Sequence, residues 1–400
     1  MKIKPYIVKV AWSIPHYRVP IFKRLSQNPN MDFVVCADDS DEGWKGEKIT
    51  TASVADEQNE INWHKIKLTR LKFPPFRSYE WQPEAISFIL KRKPDAVIVH
   101  GITKSVSNWI LVLLCKLMRI PIIDWTQGVR GPEKPTKWLV RKMLTKPFDA
   151  HMFYGEWARD WYASHGFNAN QLFVIRNSLD HDKQVQIREA VSQTNIENVR
   201  KDFGAIEPGW KLIFHAGRLE PQKKLPLLFN ALKILKNKDY KIKLVLIGTG
   251  RDEAGLREQV IQDGLQDCVI FYGACYDENT IGRIITASDL TVVPGAIGLI
   301  AMHSLVYGTP VLTCYNTAYK HGPEVEAIVD GKTGYYFKDD DIMDLAEKIE
   351  LMLYKDACKS QMTEACKKMI DDNFTPEYQE KIIIEALNYV LPPEKKINDT

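Results

Sequence analysis

The feature that most constrains this chain is a recurrence of short, largely apolar runs. They are Tyr6 to Val10, Phe33 to Cys36, Ala96 to Val99 and Ile120 to Asp124, then Leu212 to His215, Leu244 to Ile247, Val269 to Tyr272 and Leu290 to Val293. A strand with one wet face alternates apolar and polar residues, whereas a strand covered on both faces of a parallel sheet is apolar throughout. Between the runs lie residues at helical spacing, such as Leu225, Leu228, Leu232 and Leu235, or Ile342, Leu345, Ile349 and Leu353. Regular alternation of buried strand and helix predicts a doubly wound α/β fold.

A chain of 400 residues is longer than one hydrophobic core usually serves, and a polar tract from Asp180 to about Pro208 separates the runs into two sets. The expected organisation is a first Rossmann-like domain over 1–185 and a second over 190–370, joined by that tract. Thr375 as a helix cap, with Pro376 at the first helical position, predicts a last helix over 375–391 that packs back on the first domain.

Composition narrows the function classes. Hydrophobic residues make up 45% and charged residues 26%, the balance of a globular protein. Seven scattered cysteines include no Cys-x-x-Cys pair, so neither a zinc site nor a disulfide framework is expected, and a reducing cytoplasmic location fits. The opening MKIKPYIVKVAWSIP has no long apolar segment or small-residue cleavage site, so no signal peptide is expected. The apolar run Trp109 to Leu114 is far shorter than the roughly 20 residues of a membrane span.

The formal charge of +3 hides an asymmetry: 27 basic against 18 acidic residues up to Asp180, and 27 against 33 beyond it. A first half at +9 suits an anionic partner: a membrane surface, a phospholipid-linked acceptor or a diphosphate. Nucleic acid is not expected, because no aromatic-interleaved recognition motif accompanies the basic residues. Two basic stretches bearing aromatics, Trp63 to Arg77 and Lys134 to Phe148, read as solvated helix faces or as surfaces for an anionic membrane, giving peripheral attachment at its inner face.

The residues best placed for chemistry lie in FHAGRLEPQKKLPLLFNALKIL, where a strand ends at Gly217-Arg218 and Lys223 follows at a helix start. In open α/β sheets ligands bind at the carboxyl ends of strands, and helix N-termini favour anions. Arg218 can grip two phosphate oxygens at once and Lys223 supplies a mobile point charge. Read alone, the pair is also compatible with two solvated surface cations. Asp39-Ser40-Asp41 looks like an Asp-x-Asp metal signature and Asp339 to Asp341 makes another acidic cluster, but short acidic triplets are common in loops, the second sits where a helix N-terminus favours negative charge, and no catalytic metal is expected.

With these segments, and with NSLD (Asn177 to Asp180), KLVLIGTG (Lys243 to Gly250), FYGACYDENTIGRIITASDLTVVPG (Phe271 to Gly295), GLIAMHSLVYGTPVLT (Gly298 to Thr313) and EAIVDGKTGYYF (Glu326 to Phe337), the chain resembles the retaining glycosyltransferases of the GT-B fold grouped as family 4. The resemblance covers nearly all of 211–350 and is loose over 1–180. It implies two Rossmann-like domains facing a central cleft, and transfer of a sugar from a nucleotide-diphosphate sugar to a glycan or lipid-linked acceptor, with retention and no cofactor. Such enzymes serve surface polysaccharide or glycolipid assembly.

The resemblance also implies residue roles. Arg218 and Lys223 would hold the donor diphosphate beside Gly217, Gly248, Gly250 and the backbone N–H groups of Gly298 and Leu299. His100, directly after a buried strand, would touch the donor sugar. His16, Tyr17 and Arg18 after the first strand, with Gln127 and Arg130 after another, would meet the acceptor. The chain departs from the family where two glutamates eight positions apart are usual: Gly295 and His303 stand there, so sugar and ribose contacts must differ. His303 could donate to a ribose oxygen or be an ordinary helix histidine. Two alternatives share the fold: a sugar-nucleotide epimerase, and an inactive nucleotide-sugar-binding protein.

Overall fold

The computed structural model describes residues 4–39, 60–73, 77–205, 209–315, 321–355 and 359–398. The chain forms two compact units, Met1–Asp180 with Thr375–Thr400, and His181–Phe374.

The strands of the first unit are β1 (Tyr6–Ser13), β2 (Asp32–Asp38), β3 (Trp63–Lys65), β4 (Thr69–Phe73), β5 (Arg77–Trp81), β6 (Ala96–Val99), β7 (Ile122–Thr126), β8 (Ala150–Phe153) and β9 (Leu172–Val174). Seven of them make a parallel sheet in the order β3-β2-β1-β6-β7-β8-β9. Each apolar run feeds both faces. Ile7, Phe33, Ile98, Ile123 and Met152 join one core, and Val8, Val34, Val97, Val99 and Ile122 join the other. Helix α1 (Val19–Gln27) covers the first core, while α2 (Pro83–Arg92) and α3 (Val106–Met118) cover the second. Two further helices, α4 (Pro135–Thr145) and α5 (Glu156–Ser164), complete the succession.

The second unit opens with α6 (His181–Ala190) and α7 (Gln193–Asp202). Its strands are β10 (Lys211–Ala216), β11 (Ile242–Ile247), β12 (Val269–Gly273), β13 (Leu290–Val293), β14 (Val311–Tyr315) and β15 (Gly334–Lys338). They form a parallel sheet in the order β12-β11-β10-β13-β14-β15. Interleaved are α8 (Leu225–Asn237), α9 (Glu253–Gln262), α10 (Glu278–Ala287), α11 (Ile300–Val306), α12 (Ile342–Glu350) and α13 (Lys359–Asn373). In both sheets strand order reverses beside the first strand, between β1 and β6 and between β10 and β13. Such a reversal opens a crevice at the carboxyl ends, the place where doubly wound sheets bind ligands.

The last helix, α14 (Pro376–Val390), is capped by the Thr375 hydroxyl, which accepts from the Tyr378 N–H at 3.0 Å. Its Ile383, Ile384, Ala386 and Leu387 enter the first unit's core. Gln379 locks it there, accepting from the Ser178 hydroxyl (2.7 Å) and donating to the Arg176 carbonyl (2.8 Å).

Three local readings are corrected. The polar tract after Asp180 is not a plain connection but the helices α6 and α7. They are held less by apolar stripes than by arginines: Arg188 reaches the Val306 carbonyl and Asp371, and Arg200 reaches the Ala287 carbonyl, Asp289 and the Trp210 carbonyl. The stretch Trp63 to Arg77 is not a helix face. Where described, it forms β3, β4 and the start of β5, with β4 and β5 an antiparallel pair, consistent with Leu71 and Phe73 at alternate positions of β4. The run at Ile120 starts as a strand only at Ile122, after Pro121, which has no N–H to donate to a ladder.

Candidate functional site

In the second unit the crevice between β10 and β13 is closed by backbone packed on backbone. Gly217 adopts φ +148° and Gly248 φ +135°. A Cβ at Gly248 would lie 1.9 Å from the Gly217 carbonyl oxygen, and one at Gly250 would lie 2.2 Å from that of Leu219. A Cβ at Gly295 would sit 2.0 Å from the Gln222 carbonyl oxygen, which accepts from the Ala296 N–H at 2.9 Å. This contact explains why no glutamate stands at 295: the loop presses against the Gln222–Lys223 turn, and no side chain fits.

That packing aims Lys223. Its Nζ donates to the Ala296 carbonyl at 2.6 Å, and burial pushes its ammonium below the usual lysine range. Arg218, in the loop directly after β10, is exposed, with Glu220 4.0 Å from its guanidinium. The two cations therefore differ, one braced by the loop after β13 and one reaching into solvent. Leu299 caps the N-terminus of α11, its carbonyl accepting from the His303 N–H (3.0 Å), and a Cβ at Gly298 would meet nothing within 4 Å. His321, outside the candidates named from sequence, braces this loop: its Nδ1 accepts from the Ile297 N–H (3.3 Å), leaving Nε2–H to donate to the Cys314 carbonyl (3.1 Å).

His303 is tied down. Its Nε2 lies 2.8 Å from Glu278 Oε1, which also accepts from the Tyr307 hydroxyl (2.7 Å) and Gln184 (3.1 Å). Burial alone would raise the Glu278 carboxyl, but these hydrogen bonds outweigh it and hold it at about 2. His303 Nε2 is therefore engaged within the unit. The acidic triplet at 339 is structural too: Asp339 and Asp340 each take Lys224 at 2.6 Å, and Asp341 caps α12. Of the other triplet, Asp39 pairs with Lys65 at 3.2 Å, while Ser40 and Asp41 lie outside the described residues. Among the described residues no group of three or more His, Cys, Asp or Glu side chains is arranged to hold a metal ion.

In the first unit the crevice is a cavity of about 580 Å³. It gathers His100, Tyr17, Arg18, Gln127 and Arg130 from the sequence candidates, but not His16, which is exposed and stacks edge-on with Tyr17. His100 follows β6, and its Nδ1 lies 2.6 Å from the Trp125 carbonyl. Burial, with the charges of Lys9 and Arg18, holds its pKa well below the usual value against the pull of that carbonyl. The ring is thus neutral, Nδ1–H donates, and Nε2 keeps a lone pair for a hydroxyl. Gly101 is required beside it, because a Cβ would lie 2.5 Å from the Asp124 carboxylate that accepts the Gly101 N–H at 2.7 Å.

Gln127 accepts from Arg130 Nε at 2.9 Å, so this pair lines the cavity as one unit. Arg141, also lining it, is neutralised by a two-point pair with Glu133 (2.9 and 2.8 Å). The residue that the sequence reading passed over is Lys9, 1% exposed and sited in the middle of β1. A lysine inside the apolar run IVKVA was the available signal.

Comparison with known proteins agrees with this architecture. Residues 197–369 match the family Glycosyl transferases group 1. Over 289 residues the chain is 24% identical to the sulfoquinovosyl transferase SQD2 of Arabidopsis thaliana, covering 68% of this chain and 52% of that protein. Over 281 residues it is 24% identical to the alpha-monoglucosyldiacylglycerol synthase of Streptococcus pneumoniae, covering 66% and 62% respectively. The chain thus spans between half and two thirds of the length of these curated relatives. Among solved structures, Anabaena Alr3699/HepE in complex with UDP superposes with a TM-score of 0.72 at 17% identity, covering 96% of this chain and 99% of that one. The fold is GT-B.

Proposed function

We propose that this chain, whose second unit carries a Glycosyl transferases group 1 domain, transfers a sugar from a nucleotide-diphosphate sugar to a glycan or lipid-linked acceptor in the assembly of surface polysaccharide or glycolipid. One observation carries the reading: Arg218 and Lys223 stand together at the carboxyl end of β10, at the switch point, with Lys223 braced by the Ala296 carbonyl. Departure of the nucleoside diphosphate places negative charge on its distal phosphate. Cations fixed in advance stabilise that charge more in the transition state than in the ground state.

In this mechanism the reaction needs no metal, since the two side chains supply the charge. Transfer proceeds with retention: the departing phosphate takes the acceptor hydroxyl's proton on the face from which it leaves, and positioning does the rest. Neutral His100 accepts a hydroxyl of the donor sugar at Nε2. The cavity of the first unit takes the acceptor. The relatives' names, a sulfoquinovosyl transferase and a glucosyldiacylglycerol synthase, support a glycolipid or glycan acceptor.

Membrane contact belongs to the same proposal. Among the described residues no helix is long and apolar enough to cross a membrane. Helix α3 exposes Leu113 (63%) and Leu117 (75%), and α4 exposes Leu139 (59%), Val140 and Met143 (62%) beside Lys137. Apolar side chains flanked by lysine suit an anionic bilayer surface. Vesicles rich in phosphatidylglycerol should sediment the protein, and Leu139→Ser with Met143→Ser should release it. Equal sedimentation with neutral vesicles would remove the membrane from the proposal.

The deciding experiment is a thermal shift with UDP, GDP and dTDP and their sugars, repeated with Arg218→Ala and Lys223→Ala, because a ligand of the folded state raises the melting temperature. A shift for one nucleotide, lost in both variants, is expected. No shift with any of them overturns the donor site. A nucleotide sugar returned altered at its sugar, with nothing transferred, would make the protein an epimerase.

A further inference from the structure

The cavity of the first unit has a chemical character that the transferase reading does not require. Lys9 Nζ and Arg18 Nη1 are buried without a hydrogen-bond partner. Both residues line the cavity, at 1% and 9% exposure. Among the described residues neither forms an ion pair. Their neighbours are rings: Lys9 Nζ lies 5.0 Å from the centre of Trp125, and the Arg18 guanidinium lies 4.6 Å from that of Tyr154. Lys9 follows Ile7 and precedes Ala11 on the sheet face that α1 covers, a place where the fold would accept an aliphatic side chain.

A buried ammonium without a partner is costly, and a neighbouring guanidinium with one buried, unpartnered nitrogen adds to that cost. Asp124 is the carboxylate that draws on Lys9, but its Oδ1 is occupied by the Gly101 N–H and it forms no ion pair with the lysine. Glu80 also lines the cavity, and burial moves its carboxyl up and the Lys9 ammonium down, both to about 7, so each is partly charged near neutral pH; Glu80 Oε2, like Lys9 Nζ, has no hydrogen-bond partner, so the carboxyl does not answer the lysine by contact. The remaining walls include Trp12 and Tyr17, aromatic faces of the kind that stack on the apolar side of a sugar ring.

We infer that this cavity binds a sugar carrying an anionic group, a carboxylate or a phosphate, whose charge is met by Lys9 and Arg18. The acceptor of the transfer reaction is then an acidic glycan unit rather than a neutral one, an inference that rests on the proposed transferase reading. A sugar ring fills the aromatic walls while two buried cations meet one anion, so neither a neutral sugar nor a bare ion uses both features.

The test is calorimetric titration of the full chain at constant ionic strength with D-glucuronate, glucose 6-phosphate, methyl glucoside and inorganic phosphate, on the natural chain, Lys9→Met and Arg18→Gln. UDP binding is measured on each as a control. Saturable binding of an anionic sugar, at least tenfold tighter than that of methyl glucoside or inorganic phosphate and weakened tenfold or more in Lys9→Met, is the expected result. Lys9→Met should melt at or above the temperature of the natural chain, because it removes an uncompensated charge, and should still bind UDP. Methyl glucoside bound as tightly as the acids, inorganic phosphate bound as tightly as glucose 6-phosphate, or no weakening in Lys9→Met would each overturn the inference. If UDP binds and no anionic sugar does, the inference fails alone. If UDP also fails to bind, the transferase reading falls with it.

Discussion

The two sheets share a strand order around the switch point and fill the crevice there in opposite ways. In the second unit, Gly248, Gly250 and Gly295 let three loops press backbone against backbone, and half-buried charges of that unit are answered: Glu278 by His303, Tyr307 and Gln184, Lys224 by Asp339 and Asp340. In the first unit the same location is a cavity walled by side chains. There Lys9 Nζ, Arg18 Nη1 and Glu80 Oε2 are buried without hydrogen-bond partners, whereas the second unit shows only His215 Nε2 in that condition among the described residues. Under the proposed reading the contrast has a reason: a diphosphate is the same in every nucleotide donor, so a rigid cradle would serve it, whereas acceptors differ, and a cavity that keeps unmet charges would trade stability for recognition, as functional sites commonly do.

The largest effect expected from this contrast is at Lys223. Replacing it with alanine should lower kcat by about 10²-fold or more, equivalent to about 3 kcal/mol of barrier, because the loop after β13 holds the ammonium where charge develops. Arg218→Ala should raise the donor KM and lower kcat much less than Lys223→Ala does, since an exposed guanidinium interacts with ground state and transition state nearly alike. The comparison breaks if Lys223→Ala changes only KM, for then the braced lysine would be a binding group and the rigid cradle would have no catalytic consequence.

How far these sites could be read from sequence follows from the same physics. Parallel strands buried on both faces announce themselves as continuous apolar runs, so both sheets were legible, as were the cations after β10, whose positions follow from strand and helix signals alone. The helices α6 and α7 were hidden because Arg188 and Arg200 hold them through carbonyls and carboxylates distant in sequence. Position 295 could be seen to lack a carboxylate, but the close approach of Gln222 that forbids one is a property of three loops together. Lys9 was overlooked because a single lysine does not disturb the reading of a strand. Its place inside the run IVKVA points inward, and the burial of its side chain settles that it is not a surface residue. His303 was legible as a residue out of family pattern, yet its partner Glu278 is 25 positions away at the start of another helix.

A middle-sized effect concerns the second unit's paired charge. Glu278 is held at about 2 in the folded protein, against an ordinary 4.5. A carboxyl depressed by folding contributes stability that is complete above about 4.5 and is lost as pH falls toward 2. The contribution is on the order of 2 kcal/mol. Glu278→Gln should therefore lower the melting temperature at pH 7 and reduce the further loss seen between pH 4.5 and pH 2.5. If the variant and the natural chain lose stability in parallel over that window, the carboxylate is not the anchor of this cluster.

The smallest effect lies at the other end of the pH scale and belongs to the first unit. Burial lowers the Lys9 ammonium to about 7, assisted by Arg18 and opposed by Asp124, while the unfolded chain keeps its lysine protonated to about 10.5. Between those values the unfolded state binds the additional proton, so stability rises with pH. The penalty is complete below about 7 and fades as pH approaches 10.5. Water reaching the cavity relaxes part of it, leaving a change of about 1 to 2 kcal/mol. Denaturant midpoints followed from pH 7 to pH 10 should climb more steeply in the natural chain than in Lys9→Met, whose removal of the amine abolishes this component. The second unit has no counterpart at Lys224, whose two aspartates raise its pKa against the effect of burial. Lys224→Met should consequently leave the slope between pH 7 and pH 10 nearly unchanged. An equal slope in the natural chain and Lys9→Met would mean that water or relaxation already compensates the ammonium, and the distinction between an answered and an unanswered crevice would disappear.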